Sequence, residues 1–547
     1  MSVTGVSDDV VISESRASAS SMQGAMWPNN EESYEYVPEE EYDTEETRAF
    51  TEEMTRRGRN AIGSYEGRFN AIQPEYWSEQ VDMGTSGIFV EEDETSNQYP
   101  FRFRACSVET CVIDEDAYGC VDTVYFEYNW SARQVVERYG YENCSPRVQG
   151  LYSGQRYDDY VKVVLAVEPR QGGKAGYEKT KKPYKLVHWE YESQWLLLED
   201  GTDDKPVFMT RFRKLPMELY GRSLGMDALA SAKELNMLRG AFTQAMMLIL
   251  RPPMGYYHDQ IAGGGNFNMS PGARVALYNT GRIPQGQMPI TPLISIQLPP
   301  AAEQRIQNLT ETISAKFLND ILADLGNHTR MTANETQERV ALRQQSLSGI
   351  FARQFVELYY PLIKHCTGRM FIRGLFGMHP VRDQLRIQML RNMGQAPLVI
   401  PTIFAQAMAQ GKTPYKIRFI SPAARAMQSD ALMGLDRLTN YGLALTNAGA
   451  LHIADNFNGD RAFRDYQYLA GAPSTVIMSW EKVQKVRKQR DATMAAAQQM
   501  QQALQKAEIA KAGGKATLDY AKAGQPNPLQ QQPQQGADQN QQWLQAS

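Results

Sequence analysis

LYGRSLGMDALASAKELNMLRGAFTQAMMLIL, Leu219 to Leu250, and AAEQRIQNLTETISAKFLNDILADL, Ala301 to Leu325, read as two helices flanking a Pro/Gly-rich insert. In the first, Leu224, Ala228, Ser231, Leu235, Leu238, Phe242 and Met246 recur every three or four residues, the period of one helix face. It should begin near Ser223 and stop at Arg251-Pro252-Pro253, because consecutive prolines lack the N–H and force extended backbone. In the second, Ile306, Leu309, Ile313, Phe317, Ile321 and Leu325 share one side, with Glu303, Glu311, Asp320 and Asp324 on the polar remainder. At about 1.5 Å per residue, roughly 25 residues reach nearly 40 Å, the depth of a channel wall. The insert carries Gly263-Gly264-Gly265, read as a flexible loop, and a candidate strand over Ala273–Tyr278. A helix, an irregular tip and a returning helix make a long arm, several copies of which can line a channel.

Outward from the arm, Gly326-Asn327-His328-Thr329-Arg330 breaks the helical pattern, and Met331–Thr336 restarts it with Thr332 as N-cap and Glu335 at the capping-box position. That helix is expected to run to about His365. Residues 379–410 suggest a helical hairpin, YKIRFISP a strand and Ala426–Ala448 a helix. On the N-terminal side, GTSGIFVEED turns into a strand, and FRFRACSVETCVIDEDAYGCVDTVYFEYNW alternates as two strands joined at Asp116–Gly119. Ser131 to Gly140 reads as a Ser-capped, Gly-terminated helix. Strands follow at Tyr160–Val167, Tyr184–Glu190 and Val207–Phe212, giving a β-rich α+β region.

Both ends read as disordered. Residues 1–55 form an acidic arm, most strongly from Glu31 to Glu53, where like charges oppose compaction. Residues 481–524 are an Ala/Gln-rich helix, and 525–547 a Gln/Pro-rich disordered tail.

At 547 residues the chain exceeds one ordinary core. Its hydrophobic content of 42% and charged content of 22% are those of a soluble folded protein. A net charge of −5 argues against gripping nucleic acid by broad phosphate neutralisation, though not against letting DNA slide past. The longest apolar run, Ala245 to Leu250, is too short to span a bilayer, and the N-terminus lacks the layout of a secretory signal. An odd count of five cysteines implies no disulfide framework, and cytoplasmic synthesis is the default.

No catalytic constellation emerges. Gly172-Gly173-Lys174 and Gly513-Gly514-Lys515 lack the upstream glycine and the hydroxyl of a phosphate-binding loop. The six histidines are scattered, and Cys106, Cys111 and Cys120 sit at spacings unlike zinc pairs, so they read as buried thiols. Asp114, Glu115 and Asp116 crowd a hairpin tip, where solvated acids are ordinary. No metal, cofactor or catalytic residue is therefore expected.

In order along the chain, Gly84-Thr85-Ser86-Gly87, Phe101-Arg102-Phe103-Arg104, the Asp116–Gly119 hairpin, Asn129-Trp130-Ser131-Ala132-Arg133-Gln134, Tyr220-Gly221-Arg222-Ser223, Arg251-Pro252-Pro253 and Met331–Arg339 resemble the portal, or head-to-tail connector, proteins of short-tailed bacteriophages. The resemblance covers roughly residues 80–480. It implies an α+β, helix-rich portal fold assembling into a ring, typically of twelve subunits, at one capsid vertex of the virion. It further implies a wing over 56–218, stem helices over 219–250 and 301–325, and a clip over 251–300 containing Pro252, Pro253 and Gly263 to Gly265. A channel loop over 326–333, with Gly326, Asn327, His328, Thr329 and Arg330 near DNA, and a mostly helical wing and crown over 334–480 complete the pattern. Implied partners are further copies of the chain, the major capsid protein, a scaffolding protein, the terminase large subunit, a tail adaptor and double-stranded DNA bound without sequence specificity; no membrane is implied. The acidic N-terminal stretch departs from the family, which tends to have a longer folded segment there.

On this reading the stripe of Ile306, Leu309, Ile313, Phe317 and Ile321 packs against neighbouring subunits as well as within the chain. The rival from another class is a Mg²⁺-dependent phage nuclease built on Asp114 and Asp116. A tail adaptor or internal core protein is a weaker third, since neither needs a through-going arm.

Overall fold

The computed structural model describes residues 9–28, 32–93, 96, 99–173, 178, 181–250, 252, 254–256, 290–292, 299–319, 349–447, 457–470, 477–478 and 480–523. The chain divides into two compact units, one of residues 1–42 with 49–476, the other of residues 43–48 with 477–547.

The first unit is α+β. Strand β2 (Thr85–Glu92) lies between β3 (Phe101–Ser107) and β9 (Val207–Arg211) in an antiparallel three-stranded sheet. Its run TSGIFV is buried without alternation because both sheet faces are covered. Ile88 and Val90 enter a helical core, while Phe89 enters a second core formed with a five-stranded antiparallel meander. That meander consists of β4 (Cys111–Glu115), β5 (Val121–Ser131), β6 (Tyr160–Pro169), β7 (Tyr184–Glu190) and β8 (Trp195–Thr202). The stretch expected to hold two strands thus holds three, because β3 and β4 are separated by a 3-10 turn at Val108–Thr110. Strand β8 was not foreseen in the sequence.

Helix α4 (Ala132–Tyr139) has the expected ends: Ser131 and Gln134 form a reciprocal capping box, and Gly140 takes φ +82°. Together with α5 (Pro146–Ser153) it covers Val161, Val163 and Leu197 of the meander.

The acidic stretch is folded, against the expectation of a disordered arm over 1–55. Helix α1 (Val10–Met26) buries Ala19, Met22 and Met26 in the helical core. Strand β1 (Tyr34–Pro38) pairs antiparallel with the strand of YKIRF, Tyr415–Phe419, and Tyr34 and Tyr36 are fully buried. Its acids find cations: Glu32 meets Arg59 at 2.5 Å, Glu35 meets Arg418 at 2.6 Å, and Glu53 takes both Arg56 and Arg57. Pairing to Arg56 holds the Glu53 carboxyl at about 2. Like-charge density prevents compaction only where opposite charge is absent, and here much of it arrives from distant sequence.

Helix α2 (Glu45–Ile62) and α3 (Phe69–Met83) precede β2. Helix α6 (Leu224–Leu250) starts and ends where expected, with Ser223 Oγ accepting the Met226 N–H. Short strands β10 (Met254–Tyr256) and β11 (Ile290–Pro292) pair antiparallel and bring the two ends of the insert together. The returning helix α7 (Pro300–Lys316) is interrupted at Phe317–Leu318, where Leu318 adopts φ +61°; Asn319 is helical again, and residues 320–325 of the expected 301–325 helix lie outside the described residues. Residues 349–354 are helical and lead through a π-helical turn at Phe355–Tyr359 into α8 (Tyr360–Ile372). The stretch expected to be a helical hairpin holds two helices, α9 (Gln384–Asn392) and α10 (Thr402–Ala409); β12 (Tyr415–Phe419), α11 (Pro422–Asn447) and α12 (Gly459–Ala470) follow.

In the second unit, helix α13 (Trp480–Ala523) is preceded by Ile477, whose carbonyl accepts from Arg48 at 2.5 Å. Arg48 also pairs with Asp43, and Lys482 with Glu45 at 2.8 Å. The tail read as 525–547 lies outside the described residues.

Candidate functional site: the helical arm and its root

Helices α6 and α7 pack together. Arg305 pairs with Glu234 at 2.7 Å and Lys316 donates to Ser231 at 2.8 Å. Leu309, Ile313 and Phe317 are fully or almost fully buried, and Ile306 packs against them. Their cover is the chain's own core, which also contains Leu224, Ala228 and Leu235 of α6 and residues of α1. Of the stripe expected to pack both within the chain and against neighbouring subunits, Leu309, Ile313 and Phe317 are buried within the subunit. The far end of α6 is different: Met246, Met247, Leu248, Ile249 and Leu250 are all exposed. Such a run of exposed apolar side chains is more than scattered surface hydrophobics amount to.

The break after α7 is held by the N-terminal helix. Glu14 Oε2 accepts from Ser314 at 3.0 Å and from Asn319 at 2.5 Å, and the Glu14 carbonyl accepts from Asn319 at 2.8 Å. Ile321, and the expected channel loop Gly326, Asn327, His328, Thr329 and Arg330, lie outside the described residues, as do Pro253, Gly263, Gly264 and Gly265 and the Ala273–Tyr278 strand; Pro252 is half-buried.

The root of the arm is where the glycine motifs meet. Gly221 N–H donates to Thr85 Oγ1 at 2.8 Å, and Gly84 O accepts from Phe212 N–H at 2.8 Å. A Cβ on Gly221 would run into Gly84 O, and Gly84 itself takes φ +79°, so two backbones touch where side chains cannot fit. Ser223 Oγ donates to Asp82 O at 2.8 Å, fixing the first turn of α6 to the end of α3.

Beside the root lies Arg211, 1% exposed. Its Nη2 meets Glu357 Oε1 at 2.8 Å and Gly119 O at 3.0 Å, its backbone N–H donates to Glu357 Oε2 at 2.9 Å, and Nη1 pairs with Glu115. Glu357 sits in the π-helical turn, a local widening of the helix that turns its carboxylate onto β9. Arg353 also pairs with Glu357 at 2.8 Å, and Lys214 with Glu115. One guanidinium thus ties the β4–β5 hairpin, the strand leading into α6 and the helix that follows the arm. Nothing in the sequence flags this: Glu115 and Glu357 lie 96 and 146 residues from Arg211.

These contacts also engage the acidic cluster. Glu115 is occupied by Arg211 and Lys214, and Asp116 Oδ1 accepts the Tyr118 and Cys120 N–H groups that close the turn. Among the described residues no group of acids, histidines and cysteines is placed to share a metal ion. Cys106 and Cys111 are buried as expected, with burial pushing both thiols up to about 12; Cys120 is exposed, contrary to expectation, because it leaves the hairpin turn. A cavity of about 330 Å³ between β7, β8 and α8 is lined by His188, His365 and Arg369. Burial holds His188 down at about 4 and His365 at about 3, so both are neutral at neutral pH.

The sequence profile of the bacteriophage head to tail connecting proteins matches residues 19–478. The chain belongs to that family. Over 458 residues it is 26% identical to the portal protein of Salmonella phage epsilon15, covering 82% of this chain and 75% of that one. Over 401 residues it is 25% identical to a probable portal protein of Bordetella phage BPP-1, covering 71% of this chain and 65% of the other. The family match starts inside α1 and ends before α13, so the arm, its root and the Arg211 junction all lie within the head-to-tail connecting region. No described helix is long and apolar enough to cross a membrane.

Proposed function

We propose that this chain is the subunit of a phage portal: a ring at one capsid vertex of the virion through which double-stranded DNA enters during packaging and leaves at infection. The single observation that carries this reading is the arm, an α6–insert–α7 excursion whose far end is apolar and uncovered in one subunit. Side-by-side copies would cover Met246 to Leu250 and leave a central hole. Residues 56–218 and 334–480 then make the wing and crown, α6 and α7 the stem, residues 251–300 the clip and residues 326–333 the loop nearest DNA. The ring, of about twelve copies by family resemblance, works without chemistry of its own. A separate terminase large subunit drives DNA through it, and the major capsid protein, a scaffolding protein and a tail adaptor are its neighbours. Subunits are made in the host cytoplasm. A conduit holds DNA weakly, because each tight phosphate contact is a barrier to sliding, and the net charge of −5 agrees with this.

Single-particle electron microscopy of the purified chain tests the reading. Closed rings with a hole wide enough for duplex DNA are expected; a uniform compact monomer would overturn it. The nuclease reading has no support in the geometry of Asp114, Glu115 and Asp116.

A further inference from the structure

Helix α9 carries a surface that neither the arm nor its root accounts for. It buries Ile387, while Leu385, Met389 and Met393 at its C-terminal end are 84%, 65% and 61% exposed. Positions 385, 389 and 393 advance by four residues and form one row along the helix. Arg386 follows Leu385 on the helix and stands beside that row, and exposed Arg382 precedes it in the entering turn.

Along the sequence that follows the row's first residue, the charge is one-sided. From Gln384 to Ser429 there is no Asp or Glu, while Arg386, Arg391, Lys412, Lys416, Arg418 and Arg425 fall in that stretch. Arg418 and Lys416 are spent on Glu35 and Glu39 across the β1–β12 pair. Arg386, Arg391 and Lys412 are exposed and meet no carboxylate among the described residues. The nearest acid in sequence, Asp383, accepts the His379 N–H at 2.9 Å and lies 3.6 Å from Arg382, closing its own turn.

We propose that this face docks an acidic amphipathic helix of a partner protein. The partner's apolar side lies on the Leu385–Met389–Met393 row, and its Asp/Glu rim meets Arg382 and Arg386. Unbranched methionines adapt to the shape laid on them, and helix-on-helix docking is read through anchors spaced by three and four residues. The charge complementarity selects an acidic partner over a basic one. Duplex DNA fits less well, because its phosphates want a row of cations where this helix presents Leu and Met. A membrane surface wants a longer apolar face than nine residues. The contact is small, which favours a transient complex. This surface is independent of the portal reading and requires no ring.

The probe is a fluorescein-labelled synthetic helix with Leu on one face and Glu on the other, titrated against the full-length chain and followed by anisotropy. Saturable binding that weakens with added salt is expected. Leu385→Ser with Met389→Ser should weaken it by about tenfold or more, and Arg386→Glu by several-fold. Both variants alter exposed side chains, so unchanged circular dichroism serves as the folding control. The proposal is overturned if a peptide with Lys in place of Glu binds as well, or if the double serine variant binds unchanged. It is equally overturned if only phosphatidylserine vesicles or a DNA duplex respond to the substitutions. Loss of self-association in the serine variant by sedimentation velocity, with no peptide binding, would assign the face to a second copy and also overturn it.

Discussion

Replacing Arg211 with Met should cost this protein more than any surface ion pair could. The guanidinium is 1% exposed and engages Glu357, Glu115 and Gly119 O together. Methionine keeps much of the volume but strands two carboxylates that are mostly buried, with side chains 14% and 18% exposed. Breaking one side of a buried charge pair costs about 3–5 kcal/mol, against about 0–1 kcal/mol for an exposed one. Arg353 still reaches Glu357 and Lys214 still reaches Glu115, so the lower end, about 3 kcal/mol, is expected. Adding Glu357→Gln removes one stranded charge and should return about 1–2 kcal/mol. Arg211→Lys keeps the charge but not the fork that reaches three acceptors, and should fall between wild type and Arg211→Met. The assay is urea unfolding followed by tryptophan fluorescence at one fixed protein concentration, since assembly would add to apparent stability. If Arg211→Met lies within about 1 kcal/mol of wild type, or if the double variant loses the sum of the two singles, the junction is not a coupled unit.

Ile313→Asp or Phe317→Asp should abolish soluble folded protein, because both side chains are fully buried within the subunit and a charge there has no partner. Met247→Asp with Leu250→Asp should instead leave circular dichroism intact and remove rings in micrographs; unchanged rings would place the association surface elsewhere. Stability should fall on acidification, because the folded pKa values of His188 and His365 lie below the unfolded value. The neutral-histidine contribution is full above about pH 6.5 and is lost as pH falls towards 4, costing about 2 kcal/mol per histidine by pH 5. His188→Gln with His365→Gln should flatten the urea midpoint between pH 7 and 5, and an unaltered slope would remove these histidines as its cause. Deleting residues 326–330 should leave rings intact while impairing DNA packaging or retention, scored by packaged genome per particle; loss of rings would make that segment structural.

Helix α6 was legible because its signals are local. Ser223 supplies a cap acceptor, Pro252 and Pro253 stop the chain, and the apolar period between them is set by helix geometry. The α4 capping box, the alternation of β6 and β7 and the strand of YKIRF were readable for the same reason. The break at the end of α7 was not, since the pattern from Ala301 to Leu325 continues without interruption while Leu318 turns to φ +61° beside Asn319, which is bonded to Glu14.

What the sequence by itself determined was therefore the arm's existence, the strand-rich region before it and, through ordered short motifs, the family. Tertiary structure alone decided that the acidic stretch folds, by pairing Tyr34–Pro38 with Tyr415–Phe419 and Glu35 with Arg418. It alone decided that Ile313 and Phe317 face the subunit's own core, and that Arg211 joins a hairpin, a strand and a π-helical turn. The division has one physical cause. Periods, caps and prolines act over a few residues and are written in the chain, whereas charge neutralisation and burial depend on which distant residues arrive, and spacing along the sequence does not encode that.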